Sequence, residues 1–281
     1  MRNAMQLKAL FKKIAKDKNI SAQLVMQNYI LERLLERISL SDYKSKFILK
    51  GGMLIAAMVG LDSRTTMDMD ATIKSYPLTE ESLKKAFDSI IKINANDDIE
   101  FEITKINLIR EDSDYGGLRV ALNAKYEELN VPLKVDVTTG DKITPREVIY
   151  KFDLLFEQRQ IEIYAYNLET VLAEKVETII SRGNANTRPR DFYDVFILTK
   201  LQARNISNSL FSEALQATIK NRDSEQSLRD FEKILDDISN DSMMNERWIN
   251  YQREFNYARK ISFSEVIRSI KYLVRDSKII A

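Results

Sequence analysis

Arg64-Thr-Thr-Met-Asp68-Met-Asp70-Ala-Thr-Ile73 is the most informative segment of this 281-residue chain. Polar and apolar residues alternate along it, which predicts a β-strand over residues 65–73. Because strand side chains point alternately to the two faces, Asp68 and Asp70 are expected to project together. Met67, Met69 and Ala71 are expected to face the core. Two neighbouring carboxylates repel each other, and an oxygen-binding cation such as Mg²⁺ would neutralise both.

A second alternating segment, residues 132–138, supplies a third carboxylate. Asp136 and Lys134 share one face of this predicted strand. The opposite face is apolar and carries Leu133, Val135 and Val137. If the two strands are neighbours, Asp136 completes a group of three carboxylates that can hold one or two Mg²⁺ ions about 4 Å apart. Two alternatives stay open: acids on a solvated sheet edge, and an ion pair between Lys134 and a neighbour.

Two adjacent glycines precede these carboxylates along the chain. The apolar residues 47–49 predict a short strand, and residues 53–59 predict a buried helix that ends at Gly60. Gly51 and Gly52 therefore lie at a strand-to-helix turn, where phosphate oxygens could approach backbone N–H groups. The Walker A pattern is absent, so a purely structural turn is the alternative.

The chain contains no Cys and no His. Their absence excludes disulfides, thiol nucleophiles, Cys or His metal sites and Ser-His-Asp triads. Any chemistry must therefore use carboxylates, Lys, Arg, Tyr, hydroxyl groups or a bound ion. Forty-three basic and 42 acidic residues leave a net charge of +1, so a nucleic acid would have to bind a local patch. No apolar segment or signal peptide indicates a membrane, and a cytoplasmic location is expected.

The remaining pattern divides the chain near residue 166. Further strands are predicted over residues 99–109, 118–126 and 161–166, and helices over residues 5–17, 22–39 and 80–93. Beyond residue 166 nearly everything reads as helix: residues 168–181, 190–203, 208–221, 225–239, 244–258 and 264–276. The order predicts an α+β fold, with a mixed sheet and flanking helices in residues 1–166. Residues 167–281 are predicted to form a helical C-terminal domain that closes the active cleft.

Three charged residues stand out in this helical part. Lys175 lies on an apolar stripe of the helix over residues 168–181, for which Asn167 is a good N-cap. Phosphates or metal-binding carboxylates could compensate its charge, or its ammonium group could reach solvent. Asp191 and Asp194 lie one turn apart near the start of the next helix, and each is either a cleft residue or a partner of the helix dipole.

Basic residues in the helical part are candidate RNA contacts. Arg188 and Arg190 could contact RNA or a triphosphate, or instead pair with Asp191 and Asp194. On the last predicted helix a basic ridge is formed by Arg268, Lys271, Arg275 and Lys278. A nucleic-acid backbone could lie along this ridge, and a solvated helix face is the alternative.

Five motifs in succession resemble one protein family. They are Phe47-Ile-Leu-Lys50-Gly51-Gly52, Arg64-Thr-Thr-Met-Asp68-Met-Asp70, Lys134-Val-Asp136, Leu172-Ala-Glu174-Lys175 and Arg190-Asp191-Phe-Tyr-Asp194. Together they resemble the AbiEii/AbiGii family of polymerase-β-like nucleotidyltransferase toxins, found in abortive-infection phage defence and type IV toxin–antitoxin systems. The chain departs from the family's pattern at Met53, where many nucleotidyltransferases have Ser, and at Thr65 or Thr66, one of which replaces the family's Ser.

The resemblance implies an enzyme that transfers a nucleotide from a nucleoside triphosphate (NTP) to an acceptor. In characterised relatives the acceptor is the 3′ end of tRNA, whose modification blocks translation, and a cognate antitoxin neutralises the toxin. The implied Mg²⁺ ligands are Asp68, Asp70 and Asp136. The implied nucleotide-binding residues are Gly51, Gly52, Arg64, Thr65, Thr66 and Lys175. Lys175 is also implied to be catalytic, together with a carboxylate from Asp191 or Asp194.

Two other functions are compatible with the motifs taken singly. A glycosyltransferase also uses an Asp-x-Asp motif with Mg²⁺ or Mn²⁺, but binds a nucleotide sugar. A non-catalytic RNA- or protein-binding module would carry the same carboxylates without coupled metal and nucleotide binding. The glycosyltransferase differs from a nucleotidyltransferase in its cargo, because only the nucleotidyltransferase releases pyrophosphate from a triphosphate.

Overall fold

The computed structural model of the chain describes residues 4–109, 116–277 and 279. The chain divides into two compact units. Unit 1 comprises Met1–Ala57, Thr65–Gly140 and Val148–Ala165. Unit 2 comprises Met58–Arg64, Asp141–Glu147 and Tyr166–Ala281.

A mixed β-sheet forms the centre of unit 1. Its strands, over the described residues, are β1 (Phe47–Lys50), β2 (Met69–Ile73), β3 (Glu100–Leu108), β4 (Gly117–Tyr126), β5 (Leu129–Thr138), β6 (Val148–Asp153) and β7 (Gln160–Ala165). Their order across the sheet is β3-β4-β5-β2-β1-β7-β6. The β2–β5 and β1–β7 pairs are parallel, and the other neighbours are antiparallel. The predicted α+β class with a mixed sheet is confirmed.

The central strands carry the core of unit 1. Ile48, Met69, Val135 and Val137 are fully buried on β1, β2 and β5. Burial of such side chains is the main favourable contribution to folding. The helices that accompany the sheet are α1 (Ala4–Lys18), α2 (Ala22–Leu40), α3 (Gly51–Val59) and α4 (Glu80–Ile90). Ser21 is the N-cap of α2, because its hydroxyl accepts a hydrogen bond from the Leu24 N–H.

Unit 2 is built from helices. They are α5 (Leu168–Arg182), α6 (Pro189–Leu201), α7 (Asn208–Asn221), α8 (Glu225–Arg229), α9 (Phe231–Asn240), α10 (Ser242–Glu254) and α11 (Phe263–Asp276). Asn167 caps α5 by accepting from the Thr170 N–H, as the sequence predicts. Ser262 and Glu265 form a reciprocal capping box at the start of α11. Among the described residues, no helix combines the length and apolar character needed to span a membrane.

The strand predicted over residues 65–73 begins only at Met69. Residues 65–68 therefore do not alternate as a strand does, and Met67, predicted to face the core, is 37% exposed. The hydroxyl of Thr66 donates to the backbone oxygen of Asp68 at 3.1 Å. Such a local bond offers the backbone an alternative to strand pairing. Asp68 thus lies just before β2.

Other predicted boundaries are also wrong in part. Strand β6 is not predicted from the sequence, because it is an edge strand with mostly exposed side chains and has no clear apolar alternation. The helix predicted over residues 225–239 is divided into α8 and α9 at Asp230, whose φ of −95° and ψ of 11° depart from helical values. Strand β5 begins at Leu129, before its predicted start at residue 132.

Candidate active site

Four charged residues stand side by side on the central strands of unit 1. Arg119 of β4 is the cross-strand partner of Asp136 of β5. Asp136 pairs in turn with Asp70 of β2, and Asp70 with Lys50 of β1. Paired residues on neighbouring strands project from the same face of a sheet. This arrangement therefore places two acids between two bases. We name it the charged row; its members are Arg119, Asp136, Asp70 and Lys50.

Arg119 holds the carboxylate of Asp136 with both arms of its guanidinium group. The Nε–Oδ1 and Nη2–Oδ2 distances are both 2.7 Å. These hydrogen bonds raise the pKa of Arg119 above its ordinary value, and the charges of Asp136, Asp68 and Asp70 raise it further. All three carboxylates therefore act electrostatically on one guanidinium group. Asp136 therefore forms its ion pair with Arg119.

Gly51 leaves room for the carboxylate of Asp70. Its φ is +65°, and a Cβ added there would lie 2.2 Å from Oδ2 of Asp70. A larger residue would therefore collide with the carboxylate and strain the backbone. The N–H of Gly52 lies 3.4 Å from the same oxygen. In this structure the two glycines contact Asp70, and their predicted contact with phosphates stays a prediction.

The segment before β2 is held by helix α2. The side-chain amide of Asn28 donates to the Thr66 backbone oxygen at 2.9 Å, and that of Gln27 donates to the Met67 oxygen at 3.1 Å. Thr65 and Thr66 are buried, with 3% and 5% exposure. These contacts position Asp68 at the entrance to β2. The side chains of the two threonines are therefore not presented to solvent. Their predicted contact with a nucleotide stays a prediction.

The carboxylates do not form a ready-made metal cage. No group of three or more acidic side chains among the described residues has a geometry that could hold a metal ion. That Asp68, Asp70 and Asp136 together hold a metal ion stays a prediction. The guanidinium group of Arg119 occupies both oxygens of Asp136.

The donor chemistry of the charged row nevertheless fits a divalent cation. Asp70 and Asp136 are direct partners on parallel strands, so their carboxylates leave the same face at neighbouring positions. Carboxylate oxygens are the ligands that hard cations such as Mg²⁺ prefer. A cationic group, the guanidinium of Arg119, is already bound at one of the two acids. The residues therefore fit a divalent ion that takes the place of this guanidinium.

A second set of charges lies in unit 2, and we name it the buried quartet: Arg64, Lys175, Asp191 and Asp194. Arg64 donates from Nε to Oδ1 of Asp194 at 2.5 Å and from Nη2 to Oδ2 at 3.3 Å. Lys175 Nζ lies 2.5 Å from Oδ1 of Asp191 and 3.0 Å from Oδ2 of Asp194. The side chains of Arg64 and Asp194 are 2% and 0% exposed, and those of Lys175 and Asp191 are 21% and 9% exposed.

Burial and charge oppose each other within the buried quartet. Burial alone would raise the pKa of Asp194, but the charges of Arg64 and Lys175 outweigh it and lower that pKa. Burial would lower the pKa of Lys175, but Asp191 and Asp194 raise it above its ordinary value. Arg64, Lys175 and Asp194 are therefore charged at neutral pH. The charge of Lys175, which the sequence left to phosphates, metal-binding carboxylates or solvent, is met by two carboxylates of α6.

The predicted RNA contacts occupy exposed positions with different surroundings. Arg188 and Arg190 are exposed, and the guanidinium of Arg190 lies 5.3 Å from the ring centroid of Phe255. Asp191 and Asp194, suggested as partners for these arginines, are paired with Lys175 and Arg64 instead.

Acids of α9 partly neutralise the basic ridge of α11. The ridge was defined by Arg268, Lys271, Arg275 and Lys278, of which Lys278 lies outside the described residues. Lys271 pairs with Asp236 at 2.5 Å, and Arg275 pairs with Glu232 at 2.7 Å. An exposed row of paired charges favours the solvated-face alternative.

Arg119 is the residue of this site that the sequence motifs do not indicate. Its position follows from the β4–β5 hairpin, in which Tyr126 pairs with Leu129 and every step away from the turn keeps that register. Counting outward from this turn brings Arg119 opposite Asp136. The turn contains Glu127 and Glu128 and lacks the Asn-Gly or Asp-Gly signal of a short hairpin, so the register is not evident from the sequence.

Comparisons with known proteins agree with this fold. A family profile described as "Nucleotidyl transferase AbiEii toxin, Type IV TA system" matches residues 33–269. Two crystal structures from Helicobacter pylori, one described as a nucleotidyltransferase and one as JHP933, each superpose with a TM-score of 0.51 at 14% identity. Each alignment covers 92% of this chain, with 96% of the first protein and 92% of the second. At this identity the structures show a shared fold alone. No curated protein sequence matches.

Proposed function

We propose that this chain, which belongs to the AbiEii family of type IV nucleotidyltransferase toxins, adds a nucleotide to the 3′ end of a tRNA. The modification would block translation. The family match makes the chain a nucleotidyltransferase. The tRNA acceptor, the use of Mg²⁺, a role in phage defence and neutralisation by a cognate antitoxin are our proposals. The glycosyltransferase and the non-catalytic module have no such support.

The observation that carries the proposal is the direct pairing of Asp70 with Asp136 on parallel strands. We propose that these two residues and Asp68 hold Mg²⁺. Bound there, the ion would neutralise triphosphate charge and lower the pKa of the attacking hydroxyl group. The contribution of the chain itself is to hold Asp70 against the turn at Gly51, where the glycine leaves the carboxylate its space.

The start of α3 is the proposed phosphate site. Gly51 and Gly52 are the first residues of this helix. Backbone N–H groups at a helix N-terminus carry partial positive charge and bind phosphate oxygens. Lys50, next to Asp70 in the charged row, adds a full positive charge at the same turn. Both features favour an anionic substrate beside the carboxylates.

The roles of the buried quartet in the reaction remain proposals. Asp194 has a fully buried side chain, and both its oxygens are bound by Arg64 and Lys175. Asp191 retains slight exposure, 9% of its side chain, and pairs with Lys175 alone among the contacts described. Of the two aspartates we therefore propose Asp191 as the one that contacts substrate. Arg64 and Asp194 would position Lys175.

A labelling experiment tests the proposed function. Purified protein is incubated with total cellular RNA and each labelled NTP in turn, with Mg²⁺ present or chelated. We expect a labelled band of tRNA size with one or more NTPs, and none after chelation. Asp70→Asn should abolish the band while the melting temperature changes little, because a metal ligand is lost and repulsion is relieved.

The matched control for this variant is Asp153→Asn. Asp153 is an exposed aspartate on edge strand β6 of the same sheet. Its variant should label RNA as the wild type does. Full activity of Asp70→Asn, or label that never enters RNA, would contradict the proposal. Co-expression with the gene encoded next to this one should restore growth if that gene encodes the antitoxin.

A further inference from the structure

The guanidinium group of Arg119 would compete with a metal ion for the carboxylate of Asp136. Its two nitrogens bind the two oxygens of Asp136 at 2.7 Å each. A bidentate pair of this kind uses the carboxylate face that a cation would need. A divalent cation at the same oxygens would also repel the positive charge of Arg119 at contact distance.

We propose that Arg119 is a resident counter-cation of the active site, which holds Asp136 while no metal is bound and releases it when a divalent cation binds. The proposal rests on the proposed function, since it takes Asp70 and Asp136 as the metal ligands. It assigns Arg119 as a positioning residue. It also accounts for the lack of a ready-made cage among the described acids.

The surroundings of Arg119 allow this exchange. Its side chain is 36% exposed, and that of Asp136 is 18% exposed. A partly exposed arginine can leave its partner and be rehydrated, whereas a buried one would lose its only compensation. The buried Arg64–Asp194 pair of unit 2, with 2% and 0% exposure, lacks this freedom. Within the charged row, the Arg119–Asp136 pair therefore has good bidentate geometry and is also accessible to water.

The two acids of the charged row need a neighbouring cation when no metal is bound. Asp70 and Asp136 are direct neighbours, and two ionised carboxylates at such positions destabilise a sheet. Arg119 neutralises one of them from β4. Without it, the metal-free site would carry uncompensated charge and would bind a divalent cation more readily.

The test is a titration of the NTP-free protein with Mn²⁺, followed by the loss of the free Mn²⁺ signal in electron paramagnetic resonance. Arg119→Gln should bind Mn²⁺ about twofold to fivefold more tightly than the wild type, the scale of one well-formed, partly exposed ion pair. Arg119→Lys keeps the charge but lacks the fork, and it should lie between the two. A purely structural role for Arg119 would lower the affinity for Mn²⁺, or leave it unchanged, when the residue is replaced.

Two further variants separate the possible outcomes. Lys125→Gln removes an exposed cation from the same strand and face and should leave Mn²⁺ affinity unchanged. Asp70→Asn should lose Mn²⁺ binding. If Asp70→Asn loses Mn²⁺ binding but Arg119→Gln binds Mn²⁺ no more tightly than the wild type, the exchange is refuted while the metal site is supported. If Asp70→Asn binds Mn²⁺ as the wild type does, the metal site and the exchange both fail.

A melting experiment guards against misfolding. Each variant is heated with and without Mn²⁺, because a ligand that binds only the folded state raises the melting temperature more when it binds more tightly. Arg119→Gln should gain more from Mn²⁺ than the wild type gains. An equal or smaller gain in a variant that melts cooperatively would overturn the proposal.

Discussion

Replacing Asp194 by Asn should destabilise the protein far more than replacing Asp191, three residues earlier on the same helix. The side chain of Asp194 is 0% exposed, and its carboxylate receives hydrogen bonds from Arg64, whose side chain is 2% exposed. Asn keeps the shape but removes the charge. The variant therefore leaves a buried guanidinium group opposite a neutral amide.

The magnitude follows from burial. Removing one partner of a buried ion pair costs about 3–5 kcal/mol. For a protein of this size class each kcal/mol lowers the melting temperature by roughly 2–4 °C, so the expected loss is roughly 6–20 °C. Asp191 makes a single contact with Lys175, which keeps Asp194 as a second partner. Asp191→Asn should cost about 1.5 kcal/mol, the low end for a hydrogen bond to a charged group.

The assay is thermal unfolding followed by circular dichroism, with the RNA-labelling rate measured below both melting temperatures. Asp191→Asn should lose labelling and keep most of its stability. Asp194→Asn should lose much of its stability, and it should also label RNA more slowly, because Asp194 positions Lys175. The double variant Arg64→Met, Asp194→Leu should regain most of the lost stability, because apolar residues can replace a buried pair at little net cost. An Asp194→Asn protein that melts within about 2 °C of the wild type would refute the reasoning.

The same pair predicts a pH dependence. The pKa of Asp194 is lowered from its usual 3.8 by Arg64 and Lys175, which outweigh the effect of burial. Its contribution to stability is therefore complete above pH 3.8 and is lost as the pH falls through the lower folded-state pKa. The wild type should lose its stability advantage over Asp194→Asn in that acidic range.

Three other changes give simpler tests. Gly51→Ala should reduce RNA labelling and cost about 1–3 kcal/mol in unfolding free energy, because its Cβ would meet the Asp70 carboxylate and φ is positive; normal melting and labelling would contradict this. Burial raises the pKa of Glu32 from 4.5 to about 8, so its contribution is complete below pH 4.5 and is lost as the pH rises through 8. Glu32→Gln should flatten that decline in melting temperatures measured from pH 5 to 9. Lys271→Ala and Arg275→Ala should each change the melting temperature little and leave RNA binding unchanged in a filter-binding assay, since both cations are already paired with acids.

The local elements could be predicted because their causes lie within a few residues. Ser21 and Asn167 cap their helices through bonds to N–H groups three residues ahead. The alternation around Val135 and Val137 indicates a strand that is buried on one face. Edge strand β6 was beyond this kind of prediction, because an exposed strand gains little from an apolar face.

The candidate site was only partly predictable. The motifs place Asp70 and Asp136 on strands, but their pairing depends on the parallel contact between β2 and β5, which are far apart in sequence. Arg119 enters the site through the register of a hairpin whose turn has no distinctive residues. A shift of one residue would have sent Arg119 to the opposite face.

The sequence by itself determined the residue types at the site, the order of the elements and the absence of Cys and His chemistry. Only the tertiary structure decided which charges meet. Arg64 and Asp194 are 130 positions apart, and each has many possible partners of opposite charge along the chain. Folding selects between them because a charge withdrawn from water must be compensated by whichever group is brought beside it.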